Sequence, residues 1–519
     1  MKLTVSKKYL TFPVNTNASM KKVTFRSESG ELMYDLDIKL DAITPNFTSY
    51  VDVSRFTGMT LDIATAPEMK YEIGETNDYV SDEVYREDIR PRIHFAVKSG
   101  WNNDPNGLIK MNGEYHMFYQ YNPCSAEWGN MHWGHAVSRD LIHWEEKEIA
   151  LYPDRFGTMY SGSAIEDKNG ICPIGCGNSP KMLLYYTAAG NNGLMSKGEK
   201  FTQRLAWSED GITFHKYDDA PMIPHIEGGN RDPKVVWVDE LGCFILALYL
   251  DGNRFTMYRS DDLLNWSHFQ DFVLPTDREC PDIYPLTCEG ERLWVISAAS
   301  DYYIVGKFAG GKFIQICKEK RLSYNPVNYA AQSFTGLEDG RAVRIYWQRT
   351  HFPSPTVTQQ MSVPVEMSLR RELSGYYLHA LPVKELSSLR VSSETYRDIL
   401  LEAPIKTETD TQPLDIVLEA EYKEDAVILL NIYGLTIKLD AKNNCLNVLR
   451  DKMPLSLKKD SVKLRVIVDR CTVELYTDDG RYLLTAQHIS DRNLPYVQLS
   501  SNQPVSIKTY EIHALKGIH

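Results

Sequence analysis

Three times in the middle of the chain a serine is followed one or two residues later by an acid, and six residues later by an aromatic. The copies are Ser138-Arg139-Asp140 with Trp144, Ser208-Glu209-Asp210 with Phe214, and Ser260-Asp261-Asp262 with Trp266. Runs that alternate apolar and polar residues, the signature of half-buried strands, flank each copy. A strand-turn-strand unit returning at intervals of roughly 50 to 70 residues cannot bury its apolar face alone, and radial stacking of such units makes the blades of a propeller. Common surface turns closed by aromatics would give the same matches by coincidence. The spacing favours a propeller over residues 92–385.

The flanking segments carry the same alternation without the repeat. Residues 1–75 contain Lys22-Val23-Thr24-Phe25 and Tyr34-Asp35-Leu36-Asp37-Ile38, separated by turn-rich pieces such as Ser27-Glu28-Ser29-Gly30. They read as a small β-sandwich-like module. An acidic stretch follows, and residues 76–91 read as a linker. Residues 395–519 read as a second β-sandwich, with strands at Val462–Val468 and Val473–Tyr476 and a hairpin turn at Asp478-Asp479-Gly480. The one convincing helix near it is short, around Val383 to Leu389. The expected class is all-β in three modules, which suits a chain of 519 residues.

Composition narrows the partners. The formal net charge is −12 and no Lys/Arg-rich run occurs, so the electrostatic footprint of nucleic-acid binding is missing. No apolar run approaches membrane-spanning length. The 31 Tyr and 9 Trp offer flat faces with polar edges, which suit sugars, although the same residues favour strands. Nine cysteines are scattered, with only Cys172 and Cys176 close together. Free thiols are the simplest account, and no metal is required. His132 and His135, the one close histidine pair, read as strand packing. The start of the chain lacks the apolar core and cleavage site of a signal peptide. As given the chain is expected in the cytoplasm, or outside the cell if a signal has been removed.

Among 69 acidic residues, three stand out because proline follows within two positions: Asp104-Pro105, Asp232-Pro233 and Glu279-Cys280-Pro281. Proline favours extended geometry before it and donates no ladder hydrogen bond, so it marks strand ends and irregular edges. In a propeller, acids from such places on different blades can converge on the central channel. Two carboxyl groups, one protonated and one ionised, are what glycosidic cleavage generally needs. Taken by composition alone, Trp101-Asn102-Asn103-Asp104-Pro105-Asn106-Gly107 reads rather as an Asx-rich turn.

That heptapeptide resembles the signature of glycoside hydrolase family 32, the invertases, inulinases and levanases, and the resemblance continues in order. Phe118-Tyr119-Gln120-Tyr121-Asn122-Pro123, Trp128, Ser161-Gly162-Ser163, Arg231-Asp232-Pro233, Glu279-Cys280, Tyr329-Ala330-Ala331-Gln332, and Asp469-Arg470 with Val473-Glu474 look like successive family segments. The resemblance implies a five-bladed β-propeller followed by a β-sandwich. It implies a retaining β-fructofuranosidase acting on sucrose or fructans such as inulin and levan, without a cofactor. Asp104 would be the nucleophile, Glu279 the acid/base and Asp232 the stabiliser of the transition state. Arg231 would offset the clustered negative charge, and Asn103 would donate to the nucleophile. Gln120, Trp128 and Ser161 would line the sugar pocket, with core packing an equal alternative for Trp128. Glu279 is expected to have its pKa raised by burial and by the neighbouring carboxylates.

Three departures from the family pattern are visible. Asn102 replaces an apolar residue beneath the expected nucleophile, residues 325–328 are less acidic than usual, and Val363-Pro364-Val365-Glu366 replaces Leu-Pro-Arg-Glu. The alternatives kept open are endo-fructanase, fructosyltransferase, and, in another class, a non-catalytic carbohydrate-binding protein. The N-terminal module resembles an additional β-domain of some bacterial fructan hydrolases. It reads as support for the propeller or as the contact of a homo-oligomer, ahead of sugar binding.

Overall fold

The computed structural model describes the chain apart from residues 70, 80–84, 86, 176–178, 411–412, 457, 459 and 519. Cys176 and part of the acidic stretch therefore lie outside the described residues. The described cysteines are free thiols.

Five antiparallel sheets follow one another around a central channel. Their innermost strands are Trp101–Met111, Thr158–Asp167, Arg231–Val238, Asp282–Cys288 and Asn328–Ser333. In each blade the chain enters at the channel and moves outward, so the inner strands are edges facing one another. Among the described residues no strand is exchanged between blades to close the ring. Instead the fifth blade pairs briefly with the first, where Thr335 N–H donates to Leu108 O and Lys110 N–H to Thr335 O, both at 2.9 Å. Gln332 reinforces the closure. Its Oε1 accepts from Leu108 N–H at 3.1 Å and its Nε2 donates to Gly162 O at 2.9 Å, so one side chain ties the fifth blade to the first and second.

The serine-acid-aromatic repeat is the turn between the third and fourth strands of the first three blades. In each copy the serine hydroxyl meets the acid two residues on, at 3.0 to 3.1 Å. The same acid then accepts two backbone N–H groups further along the turn. The residue three after the serine is left-handed each time: Leu141, Gly211 and Leu263 have φ of 68°, 72° and 64°. An Asx-type turn of this kind satisfies backbone donors that a regular hairpin would leave free.

Farther down the channel, charged side chains stitch the last three blades together. Lys234 reaches Asp282 at 3.2 Å, and Arg344 reaches Asp282 at 3.3 Å and Asp301 at 2.9 Å. All are almost wholly buried, so each charge is tolerable only because its partners are fixed.

The C-terminal module is a sandwich of two six-stranded sheets over residues 390–515. Its edge is fused to the propeller: Ile467, Tyr476 and Leu483 belong to the same continuous apolar core as Leu108, Val295 and Val343. A buried polar knot lies beside this core. His94 Nδ1 meets Asp469 at 2.8 Å and its Nε2 meets Glu474 at 3.2 Å. Asp469 also accepts from the backbone of Arg92 and Ile93. The short helix is 3-10, over Lys384–Leu389.

The N-terminal module is a four-stranded sheet packed on a three-stranded one, around Leu10, Phe12, Phe25, Leu36 and Ile63. Two expectations need correction. The described part of the 76–91 linker is not free of the module before it: its first residue, Thr76, ends the strand Gly74–Thr76 beside Tyr9–Val14, and Tyr79 stacks on Tyr50 with ring centroids 4.3 Å apart. The heptapeptide at 101–107 is not a turn either. It lies inside the long inner strand Trp101–Met111, where bulges between Asn102 and Pro105 and between Asn106 and Ile109 absorb its turn-forming residues.

Candidate active site

Four of the five inner strands are irregular at the same height. The register breaks between Asn102 and Pro105, Tyr160 and Gly162, Arg231 and Lys234, and Tyr329 and Gln332. A bulge turns a side chain that would otherwise point into a blade toward the channel. It is how the neighbours Arg231 and Asp232, which a regular strand would send to opposite faces, both reach one site. The backbone there is strained as well. Asp232, Glu279, Cys280 and Ala330 all have positive φ, at 67°, 61°, 42° and 50°, a conformation that non-glycine residues hold only when the surroundings enforce it. Gly162 is required for a different reason: a Cβ there would sit 1.9 Å from Tyr185 O.

The bulges bring Asp104 and Asp232 together with Cys280 around a small cavity, which Ser161, Gly162, Ala331 and Gln332 also line, and Glu279 stands next to Cys280 in the chain. Cys280 is the hub. Its thiol lies 3.6 Å from Asp104 Oδ2 and 3.5 Å from Asp232 Oδ2, and its backbone N–H donates to Asp232 Oδ2 at 2.9 Å. Ser161 Oγ donates to Asp104 Oδ2 at 2.6 Å. Trp101 explains the aromatic that opens the motif: its indole N–H donates to Asn103 Oδ1 at 2.8 Å, leaving the Asn103 amide nitrogen to serve Asp104. On the other side Arg231 Nη2 donates to Glu279 Oε1 at 2.5 Å while its Nε lies 3.7 Å from Asp232. The Tyr329 hydroxyl donates to Glu279 Oε2.

The electrostatics follow from these contacts. Burial pushes the Asp104 carboxyl up, against donation from Ser161 and Asn103, and the Glu279 charge adds to the rise. Burial likewise pushes Asp232 up to about 7, against Arg231 and with help from the Asp104 charge. Glu279 goes the other way and is lowered. Burial alone would raise it, but Tyr329 and Arg231 donate to its two oxygens and hold it ionised. The raised Glu279 pKa expected from burial and neighbouring carboxylates is therefore not the state of the ligand-free site.

The remaining residues fall around this centre. Gln120 is buried, with its amide nitrogen donating to Met159 O at 2.8 Å. Trp128 is 54% exposed and stands edge-on to Tyr160 at 6.1 Å, so it is a rim residue and not core. Asn325 turns away toward the C-terminal sandwich, where its amide nitrogen donates to Asp451 at 3.3 Å. His132 and His135 are strand packing: the first meets the Tyr34 hydroxyl at 2.5 Å and the second stacks on Phe118. Tyr329 was not singled out from sequence as a site residue, although the segment containing it was. One tyrosine among 31 carries no mark of its own.

A propeller with three convergent carboxylates fused to a β-sandwich defines a glycoside hydrolase architecture, and comparison with known proteins gives the family. The model of the glycosyl hydrolases family 32 N-terminal domain matches residues 94–380, and that of the family 32 C-terminal domain matches residues 368–514. The chain belongs to glycoside hydrolase family 32. It is 30% identical to the levanase of Bacillus subtilis over 85% of this chain and 72% of that protein. It is 29% identical to the extracellular exo-inulinase of Aspergillus awamori over 80% of this chain and 92% of that protein. The crystal structure of that exo-inulinase superposes with a TM-score of 0.74 at 26% identity, covering 84% of this chain and 100% of the other.

Proposed function

We propose that the chain is an exo-acting, retaining β-fructofuranosidase that releases terminal fructose from sucrose or fructans through a covalent fructosyl-enzyme intermediate. The observation carrying this reading is the convergence of Asp104 and Asp232 on the Cys280 thiol and backbone, with Glu279 adjacent in sequence and held by Arg231. The names of the similar proteins, levanase and exo-inulinase, support the substrate class.

In this mechanism an Asp104 oxygen attacks the anomeric carbon as the glycosidic C–O bond breaks, and Glu279 delivers its proton to the leaving oxygen. Water then enters. Glu279 takes its proton and the ester to Asp104 is cleaved, restoring both carboxyl groups. Asp232 binds sugar hydroxyls and stabilises the oxocarbenium-like transition state with its charge. Glu279 must first acquire a proton, which the free site disfavours. A sugar hydroxyl that takes over the Arg231 donor removes one of the two bonds holding Glu279 ionised, and exclusion of water by the bound sugar then raises its pKa toward the acid role.

The test is release of free fructose from sucrose, inulin and levan, run beside the Asp104→Asn variant. Steady fructose release by the wild type, abolished in the variant, is expected. Oligosaccharides without early fructose would support endo action or transfer instead. No product from any of the three would support the non-catalytic binding protein.

A further inference from the structure

The N-terminal module does more than lean on the propeller: it holds two loops that meet at Tyr160, the residue before the Ser161 that donates to Asp104. The first is the loop containing Trp128. Its Asn130 exchanges two hydrogen bonds with the backbone of Asp37, each at 2.8 Å. Glu127, one residue before Trp128, pairs with Lys39 at 2.7 Å. The second loop lies between the second and third strands of the second blade. There Asp35 accepts the backbone N–H of Leu194 at 3.0 Å and of Met195 at 3.1 Å, while Lys22 pins the same carboxylate at 3.1 Å. Asp35, Asp37 and Lys39 all belong to, or immediately follow, the single strand Leu32–Ile38.

Both loops converge on Tyr160. Trp128 stands edge-on to its ring, and Asn192, from the second loop, lies close enough to its hydroxyl to lower its pKa against the effect of burial. Tyr160 precedes Ser161, the donor to Asp104, and feels the charges of Arg231 and Asp232. One strand of the N-terminal module is thus connected to the catalytic rim through two independent loops. Neither loop is held by the propeller core alone, and a half-exposed Trp on an unsupported loop would lose the fixed orientation that stacking on a sugar needs.

We infer that the strand Leu32–Ile38 and the Lys39 that follows it are a specificity device, positioning Trp128 and Tyr160 to grip the part of a fructan chain that extends beyond the cleaved bond. Asp35, Lys39 and Asn130 are positioning residues and do not touch the reacting atoms. The inference rests on the fructosidase reading above, because it assigns these residues a role in binding that enzyme's longer substrates.

The test measures kcat and KM on sucrose, inulin and levan for the full chain and for Asp35→Ala, Lys39→Ala and Asn130→Gly, with the thermal midpoint of each. Asn130 is left-handed, with φ of 45°, so glycine removes its bonds without adding backbone strain. The expected result is a KM for inulin or levan raised about fivefold, the effect of losing one or two positioning hydrogen bonds. The kcat values on all substrates, and the KM for sucrose, should stay within about twofold by the same measure. Unchanged fructan KM in all three variants would overturn the inference. So would a parallel fall of kcat on every substrate with a lowered midpoint, since that describes mere structural support. A wild type that releases no fructose from any of the three would overturn the fructosidase reading and this inference with it. An active wild type with unaltered variants would overturn the inference alone.

Discussion

Arg231 and Glu279 form the ion pair that sets the resting state of the site: Nη2 lies 2.5 Å from Oε1, and Asp232, next to Arg231 in sequence, is raised by burial and by the Asp104 charge against the pull of that same arginine. The residue cast as the acid has its pKa lowered before substrate arrives, while burial raises both aspartates. Its protonation is therefore coupled to substrate binding, and the donors on its two oxygens control the pH range over which the enzyme works.

Tyr329→Phe removes one of those donors. A donor to the ionised form lowers a carboxyl pKa, so its loss raises the Glu279 pKa. The alkaline limb of kcat/KM against pH, which reports the free enzyme, should move to higher pH by up to about one unit. A limb that stays put would mean Tyr329 does not bear on Glu279.

Asp232→Asn should lower activity by about a hundredfold or more while stabilising the fold. A buried acid with a folded pKa above its unfolded value weakens the folded state once pH rises past the unfolded value, and for Asp232 that loss accumulates from about 3.8 until about 7. The neutral amide escapes it. At pH 8 the variant should be more stable than the wild type by about 1–3 kcal/mol, with the difference vanishing near pH 4. Calorimetry at the two pH values reads this directly.

Asn102 has a separate cost. Its side chain is completely buried and neither polar atom has a hydrogen-bond partner among the described residues. Asn102→Leu, which restores an apolar residue of similar size, should raise stability by about 1–3 kcal/mol in denaturant unfolding. A destabilised variant would show that the amide has a partner or a packing role after all.

The joint between propeller and sandwich titrates in the same sense as Asp232 but at higher pH. Burial would lower the His94 pKa, but the hydrogen bonds and charges of Asp469 and Glu474 raise it to about 9. A histidine raised in the folded state contributes stability that is fully present below its unfolded value near 6.5 and is lost as pH rises through about 9. His94→Gln should flatten the fall in thermal midpoint between pH 6.5 and pH 9. An unaltered slope would place the alkaline instability elsewhere.

How far the sequence discloses all this varies from residue to residue. Asp104, Asp232 and Glu279 are marked by the prolines behind them, because the irregular backbone that proline tolerates is what aims an acid into the channel. The first three blades are marked by the Ser138, Ser208 and Ser260 turns. The fourth and fifth are not, since their outer hairpins turn on Gly310-Gly311 and Leu373-Ser374 and leave no repeat to count. The lowered pKa of Glu279 was the least legible feature of the site. It depends on Arg231 from the third blade and Tyr329 from the fifth meeting Glu279 of the fourth, and no local pattern encodes a contact across blades.

The central claim is that Asp104 becomes covalently joined to fructose. The direct measurement is peptide-resolved mass spectrometry of the Glu279→Ala variant after brief mixing with fructosyl fluoride, whose leaving group needs no acid while the missing base slows hydrolysis of the intermediate. One fructosyl unit on the peptide carrying Asp104 is the predicted result. A modified peptide elsewhere, or fructose released rapidly with no adduct at any time, would contradict it.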